Sequence, residues 1–532
     1  MRPRLGRFGV ASGAVGCALL GALLYAPASS SGRLADDWIL LRTVRHVTGL
    51  WWPFTHNDLG QGTGSGHFYR PVWVLWNAGV YGVSHSPTFA HVLNLVLFAI
   101  VCAEVVLLVR RVAGMRAALI SGVTFALFPT HGESVAWISG NTDLLAVALG
   151  LAAIILALSA KPSLRRELGI AALTALAALA KEIAMVLPAL VAILLWASAP
   201  DAHGANPRRY WRPVAVMLAT VAAVLIPRTL VIGGIGGYGG QALTPVRAAG
   251  ALASFILGAL SAPQIQLLEH PVLFLVPAAA LMLLAAGVFA ARRRREVRTA
   301  RLALAGLAWF LVALLPVLNQ PLDLNTANGD RLLLLPSVGL AIAAGALLGR
   351  TRRTVVLAAW GLVAVLCAVS CVLSALDWRT AGMESRRLLS EIDRLAPRGV
   401  HLIALSVPSD YRVAHLYPDA LEAAVQETGR PDLSLTGCMP VHALSLRPGQ
   451  VSFTPFPGGL WFGETTARDP FDTPVLGSLE PQPSGDCLFG KAPEEAQATL
   501  GTARTAFVVP ATPSRTRVIY FDGRDMRLIE TP

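Results

Sequence analysis

About eleven long apolar runs occupy most of the chain and leave it few folds to choose from. They lie near 8–27, 89–109, 117–130, 143–160, 167–182, 183–199, 213–231, 272–291, 300–318, 331–348 and 354–375. Most approach the ~20 residues that an α-helix needs to cross hydrocarbon, where the backbone must satisfy its own hydrogen bonds. Composition agrees, since 54% of the 532 residues are hydrophobic and only 14% charged, against about 25% charged in a soluble domain. The expected fold is a polytopic α-helical membrane protein with about eleven transmembrane helices over 1–375, followed by a soluble domain over 376–532.

Arginine placement orients the helices, because positive charge in short loops stays on the cytoplasmic side. Arg2, Arg4 and Arg7 put the N terminus inside. Further cytoplasmic loops carry Arg110, Arg111 and Arg116; Lys161, Arg165 and Arg166; Arg208, Arg209 and Arg212; Arg292 to Arg295; and Arg350, Arg352 and Arg353. The net charge of +12 is therefore a topology signal, and nucleic acid is not an expected partner. The run RRRREVR at 292–298 reads as a solvated loop beside a helix end, with an anionic-lipid patch as the sharper alternative. Residues 28–88 and 232–271 are expected as external loops, the second holding a helix that lies on or dips into the membrane. The first apolar run imitates a signal peptide but is expected as a retained signal-anchor. The C-terminal domain is expected outside, periplasmic or extracellular.

From about 376 the composition turns mixed. A helix-like AGMESRRLLSEIDRL is followed by strand-like HLIALSV, VHALSL, TAFVVP and TRVIYF, separated by Pro and Gly turns, so a mixed α/β domain is expected. Asp410, His415 and Asp419 are its most polar group and are read as ordinary folded surface. Cys438 and Cys487 would face an oxidising compartment and could pair.

Polar groups gather where the apolar runs reach the outer side. Asp36 and Asp37 follow the first run, and two carboxylates there suit a general base or a cation site as well as a plain helix cap. Arg70, between Tyr69 and Pro71, could grip a phosphate or pair with a nearby carboxylate. His91 and Asn94 share a helix face and suit interhelical hydrogen bonds. The segment FPTHGESVAWISGNTDLL adds His131, Glu133, Asn141 and Asp143, ionisable groups that are costly at the edge of hydrocarbon unless paired or used. Asp37, His131 and Glu133 are the metal candidates, with Mg2+ or Mn2+ as the cation. Lys181-Glu182 interrupts the run 167–199, where Glu182 could satisfy a basic partner while Lys181 meets a phosphate. Asp323, Asn325, Asn328, Asp330 and Arg331 precede the tenth run, and Arg331 could stabilise a departing phosphate. No dinucleotide, Walker A or nucleophile-elbow motif competes.

This ordered set, Asp36-Asp37, YRP at 69–71, H-x-x-N at 91–94, the 128–145 segment, KE at 181–182 and DRLLLLPSVG at 330–339, resembles the GT-C superfamily of polyprenyl-phosphate-sugar-dependent membrane glycosyltransferases. Within it the chain is most similar to bacterial relatives of the transmembrane O-mannosyltransferases that carry tetratricopeptide repeats in animals. The resemblance implies a bacterial inner (cytoplasmic) membrane as the setting, an outward-facing cavity, a catalytic acid in the first external loop and inversion at the anomeric carbon. It makes Asp36 or Asp37 the base, and Arg70, Lys181 and Arg331 the holders of the donor phosphate, with Tyr69, His91, Asn94, His131, Glu133, Asn141, Asp143, Glu182 and Asp330 in support. The chain departs from the pattern at Thr130 before His131 and at Asp330 where relatives carry glutamate. It lacks the repeats, so the acceptor is not borrowed from the animal proteins.

The leading expectation is a hexosyltransferase moving a sugar, mannose being one candidate, from a polyprenyl-phosphate donor to a hydroxyl of an exported protein or cell-envelope glycan. An enzyme that glycosylates a lipid or glycan headgroup and a transporter or flippase are the alternatives. A catalytically silent scaffold is the third. The carboxylates concentrate outside, whereas alternating access favours a midplane site.

Overall fold

The computed structural model describes residues 5–56, 66–159, 163–198, 207–233, 237–238, 243–262, 282, 287, 296–324, 328–417, 420–437, 440–443, 451–456, 460–465, 488–491, 505–508 and 516–529. The expected run at 272–291 falls almost wholly outside them, as do Asp419, Asn325, Cys438 and Cys487.

The chain has a polytopic, largely α-helical membrane-type fold with a C-terminal mixed α/β region. Among the described residues, six helices are long and apolar enough to cross a membrane: Ala11–Ser30, Pro87–Ala113, Trp211–Ile232, Val297–Val317, Asp330–Leu348 and Thr354–Leu395. A seventh arises if Pro129–Ala136 and Asn141–Ala157, bent by 106° at their junction, count as one broken span. This corrects the expected eleven. The run 117–130 yields the 12-residue helix Met115–Ala126, about 18 Å long at 1.5 Å per residue and short of a ~30 Å hydrocarbon layer. The run 167–182 yields a 17-residue helix, Leu164–Ala180, that stops at an extended Lys181, and the next apolar helix, Glu182–Ser198, also falls short.

Contacts divide the chain into two units. One comprises Met1–Ser29, Thr43–Ile265 and Val272–Ala375; the other contains Ser30–Arg42 and Leu376–Pro532. In the first, small residues let helices approach closely, as expected where apolar side chains gain little by leaving lipid. Helices Val297–Leu314 and Leu334–Leu348 touch backbone to backbone, so that a Cβ at Gly339 would lie 2.3 Å from the Gly306 carbonyl oxygen.

In the second unit, Thr516–Phe521 and Ser434–Gly437 pair with His401–Ala404 in parallel, and Met526–Ile529 adds antiparallel at the edge. The two central strands are buried on both faces, with consecutive residues such as Leu402 and Ile403, and Val518 and Ile519, all covered. The helical residues 376–395 are tied to the edge hairpin by Arg387, which pairs with Glu384, Glu391 and Asp525. Glu391 also accepts the Met526 N–H at 3.0 Å.

Candidate active site

Within the first unit, the ionisable residues singled out from the sequence assemble into three carboxylate–cation pairs. The turn before Pro71 presents Arg70, which meets Glu182 through two parallel contacts, Nε to Oε2 at 3.0 Å and Nη2 to Oε1 at 2.5 Å. The Arg70 guanidinium also lies 4.2 Å from the Phe68 ring centroid. Its partner therefore comes from a distant helix start and not from its own loop. Lys181 terminates the Leu164–Ala180 helix, and its Nζ lies 2.5 Å from Asp143 Oδ2, with both side chains 0% exposed. Arg331 donates its backbone N–H to Glu133 Oε2 at 2.8 Å, and its Nη1 meets Oε1 of the same carboxylate. The Arg331 side chain is 17% exposed and sits 5.1 Å from the Trp137 ring centroid.

The bend between Pro129–Ala136 and Asn141–Ala157 explains how one short segment supplies so many of these groups. A straight helix would have carried Glu133 and Asp143 through about three turns; the break turns both toward the same polar layer. Asn141, at the start of the second arm, accepts Trp73 Nε1–H at 2.5 Å and exchanges hydrogen bonds with Asn77. Asn94 donates to the Trp137 carbonyl at 2.8 Å, the kind of interelement bond its position predicts. His91 is buried on the same helix. Tyr69 is buried and donates to the Phe54 carbonyl at 3.1 Å, and burial pushes its phenol pKa up. Asp330 is buried beside Arg331.

His131 is fully buried among the rings of Phe98, Phe125 and Phe128, and its Nε2 is 2.9 Å from Ser337 Oγ. Of the metal candidates, His131 thus rests on Ser337 and Glu133 on Arg331. Among the described residues no group of three or more His, Cys, Asp or Glu side chains is placed to hold a metal ion.

Reading the sequence missed Arg228, Asn77, Trp73, Trp137 and Ser337. Arg228 is buried in the Pro207–Ile232 helix within electrostatic reach of Glu182 and Arg70. Its signal was present, as a lone charge inside an otherwise apolar run. Asn77 and Ser337 carry no such signal, because a single polar residue in a helix gives no indication of its partner.

The acidic pair belongs to the second unit. Asp37 opens the Asp37–Arg45 helix, is buried, and accepts the Leu34 N–H at 3.0 Å. Asp36 precedes it and is exposed. The turn is held in an unusual backbone state: Ala35 has φ 47°, and its N–H donates to the Leu416 carbonyl at 2.8 Å. A non-glycine residue in the left-handed region is strained and persists only where its surroundings enforce it. Immediately upstream, Ser31 crosses the long helix at Gly382, where a Cβ would lie 1.6 Å from the Ser31 carbonyl oxygen. Elsewhere in this unit Asp410 and His415 are buried, with Ser409 Oγ–H on Asp410 Oδ2 at 2.7 Å and His415 Nδ1 3.6 Å from Asp410 Oδ1.

No protein-family model and no curated protein matches the chain. Among solved structures, the chain is similar to the archaeal oligosaccharyltransferase AglB from Archaeoglobus fulgidus in complex with an inhibitory peptide and a dolichol-phosphate. That match has 13% identity and a TM-score of 0.42, and covers 81% of this chain and 65% of that one. The apo form of the A. fulgidus oligosaccharyltransferase gives 14% identity and a TM-score of 0.44, covering 82% and 65%. ArnT from Cupriavidus metallidurans bound to undecaprenyl phosphate gives 12% identity and a TM-score of 0.43, covering 80% and 92%. The chain thus spans 65% of the length of the oligosaccharyltransferase chains it matches. Each of these alignments extends over about four-fifths of this chain.

Proposed function

We propose that the chain is an inverting glycosyltransferase that takes a sugar from a polyprenyl-phosphate donor and attaches it to a hydroxyl of an exported protein or cell-envelope glycan. The observation that carries this reading is the layer of paired cations at the ends of apolar helices, with Arg331 partly open while its carboxylate partner is buried. A partly open guanidinium at that depth suits a lipid-borne phosphate: it has five N–H donors, more than one carboxylate uses, and it stays charged.

Among the aspartates, Asp36 is the base in this reading. Its carboxylate is exposed, whereas Asp37 is buried and bonded to the Leu34 N–H. The acceptor O–H proton passes to Asp36 as the acceptor oxygen bonds to the anomeric carbon. The bond from that carbon to the donor phosphate oxygen breaks with inversion, and the polyprenyl phosphate leaves with its charge stabilised by Arg331, assisted by Arg70. Lys181 holds Asp143 and positions the bend. A divalent cation, if bound, would add charge neutralisation at the departing phosphate.

The test is transfer from labelled short-chain polyprenyl-phosphate sugars, mannose among them, by the purified full chain with an envelope extract, with and without Mg2+ or Mn2+. Asp36→Asn lowers transfer about 10²- to 10⁴-fold, the range for a general base, while the protein remains folded. Label partitioning into protein, glycan or lipid identifies the acceptor class. Undiminished transfer in Asp36→Asn removes the assigned base; no transfer by wild type with any sugar donor moves the protein to transport or scaffolding.

A further inference from the structure

A second charged feature lies at the other end of the same helices and plays no part in the proposed transfer. A cavity of about 320 Å³ is lined by Arg110, Arg111, Arg116, Arg298 and Arg350. Val112, Ala117, Leu302 and Ala346 line it as well. Among the described residues no carboxylate lines it, and none of the five arginines forms an ion pair with one.

The helices set this cavity far from the candidate site. The Pro87–Ala113 helix carries His91 and Asn94 near one end and Arg110 and Arg111 at the other. The 19 residues from His91 to Arg110 rise about 28 Å, close to the ~30 Å of a bilayer hydrocarbon core. The Asn141–Ala157 and Leu334–Leu348 helices repeat the pattern, with Asn141 and Ser337 toward the candidate site and Ile155 and Ala346 toward the cavity. The arginine distribution assigns the cavity end to the cytoplasm.

Positive loops on that side are usually solvated, and topology alone would account for the charge. Three features go beyond topology. First, several guanidinium groups are positioned by backbone carbonyls: Arg116 Nη2 on Thr351 O at 2.7 Å, Arg298 Nη2 on Val112 O at 3.1 Å, and Arg111 Nη1 on Ile155 O. One carbonyl uses only part of a five-donor guanidinium. Second, two helices begin at the cavity. Met115–Ala126 starts after Gly114, and Val297–Leu314 places Arg298 and Thr299 in its first turn, with no side-chain cap on either. Helix starts direct N–H groups and partial positive charge at an anion. Third, the arginines share the lining with apolar Val112, Ala117, Leu302 and Ala346, and apolar neighbours strengthen both the mutual repulsion of the arginines and their attraction for an anion. The volume sits at the lower end of the range of small-molecule sites.

We infer that this arginine-lined cavity is a binding site for a phosphate group, supplied by the headgroup of an anionic phospholipid in the cytoplasmic leaflet. The assignment stands independently of the transferase reading.

The test uses the purified full chain in phosphatidylcholine nanodiscs doped with phosphatidylglycerol, with retained lipid read by native mass spectrometry. Wild type is compared with Arg111→Gln/Arg116→Gln/Arg298→Gln and with Arg110→Gln/Arg350→Gln, the second pair being chosen because the carbonyl contacts above do not involve it. Arg352→Gln/Arg353→Gln, just outside the cavity, is the control. Anionic surfaces give roughly fivefold in affinity per basic side chain, so the triple variant retains about a hundredfold less phosphatidylglycerol and the double variant about 25-fold less. The control matches wild type. Retention that survives excess inorganic phosphate identifies the lipid headgroup as the source; displacement by inorganic phosphate identifies a soluble phosphate in the same cavity. Equal retention in wild type and the double variant overturns the site, as does an equal loss in the Arg352/Arg353 control.

Discussion

The Lys181–Asp143 pair offers the sharpest test of how the polar layer is built. Both side chains are 0% exposed and 2.5 Å apart, and Asp143 Oδ1 has no hydrogen-bond partner among the described residues. A buried pair is close to neutral against an apolar replacement, because desolvation offsets much of the attraction; removing one partner strands a charge and costs about 3–5 kcal/mol. Lys181→Met leaves the Asp143 carboxylate without its cation and should fall in that range. Adding Asp143→Leu removes the stranded charge, so the double variant should recover most of the loss, leaving a coupling of a few kcal/mol in the cycle. Unfolding of the purified chain in a mixed-micelle denaturant titration, followed by tryptophan fluorescence, gives the four stabilities; transfer activity is measured on the same samples. Since Lys181 is assigned to hold the bend, the double variant should also retain transfer to within about tenfold, whereas Arg331→Gln should lose at least about a hundredfold as a lost electrostatic contact to the leaving group. If Lys181→Met is as stable as wild type, or the double variant is no more stable than the single one, the pair is not a buried unit. If the double variant is stable but transfers nothing, Lys181 meets the donor directly.

Other expectations concern packing and charge. Gly339→Val introduces a side chain where even a Cβ would lie 2.3 Å from backbone oxygen; overpacking of this kind costs about 1–3 kcal/mol or more, visible as a lower thermal midpoint in detergent, and an unchanged midpoint would refute the close helix contact. Asp37→Asn weakens the bond to the Leu34 N–H that closes the turn before the Asp37–Arg45 helix, costing about 1 kcal/mol, and should lower stability more than Asp36→Asn does. In the C-terminal unit, Arg430 and the Gly399 N–H hold the Asp432 carboxyl down at about 2. A depressed folded-state pKa stabilises above the unfolded value of 3.8 and is lost as pH falls toward 2. Wild type should therefore lose stability faster than Asp432→Asn through that window, and the two should run parallel above about pH 5; parallel curves throughout would show that the Arg430 contact is absent in solution.

Much of this protein is legible in its sequence because the bilayer is such a demanding solvent. Runs of apolar residues mark helices, arginines mark their ends, and an ionisable residue at such an end must be paired or used, which is why Arg70, Glu133, Asp143, Lys181, Glu182 and Arg331 stand out before any coordinates. Strand-like TRVIYF and HLIALSV, short apolar runs set between Pro and Gly turns, likewise announce a sheet. The sequence cannot say which cation meets which carboxylate. Arg70 finds Glu182 across 112 positions and Arg331 finds Glu133 across 198, pairings decided by how helices stack and by the 106° break that no local propensity predicts. The count of spans fails for a related reason: hydropathy registers apolar length, whereas the extended Lys181 and the broken segment around Gly140 divide that length in three dimensions. The two aspartates are adjacent and chemically identical in the sequence, and only the strained turn at Ala35 separates them, burying Asp37 against a backbone N–H and leaving Asp36 exposed. Local pattern thus determines what must lie in lipid and what must escape it, while partner choice rests on long-range packing, which a one-dimensional pattern does not contain.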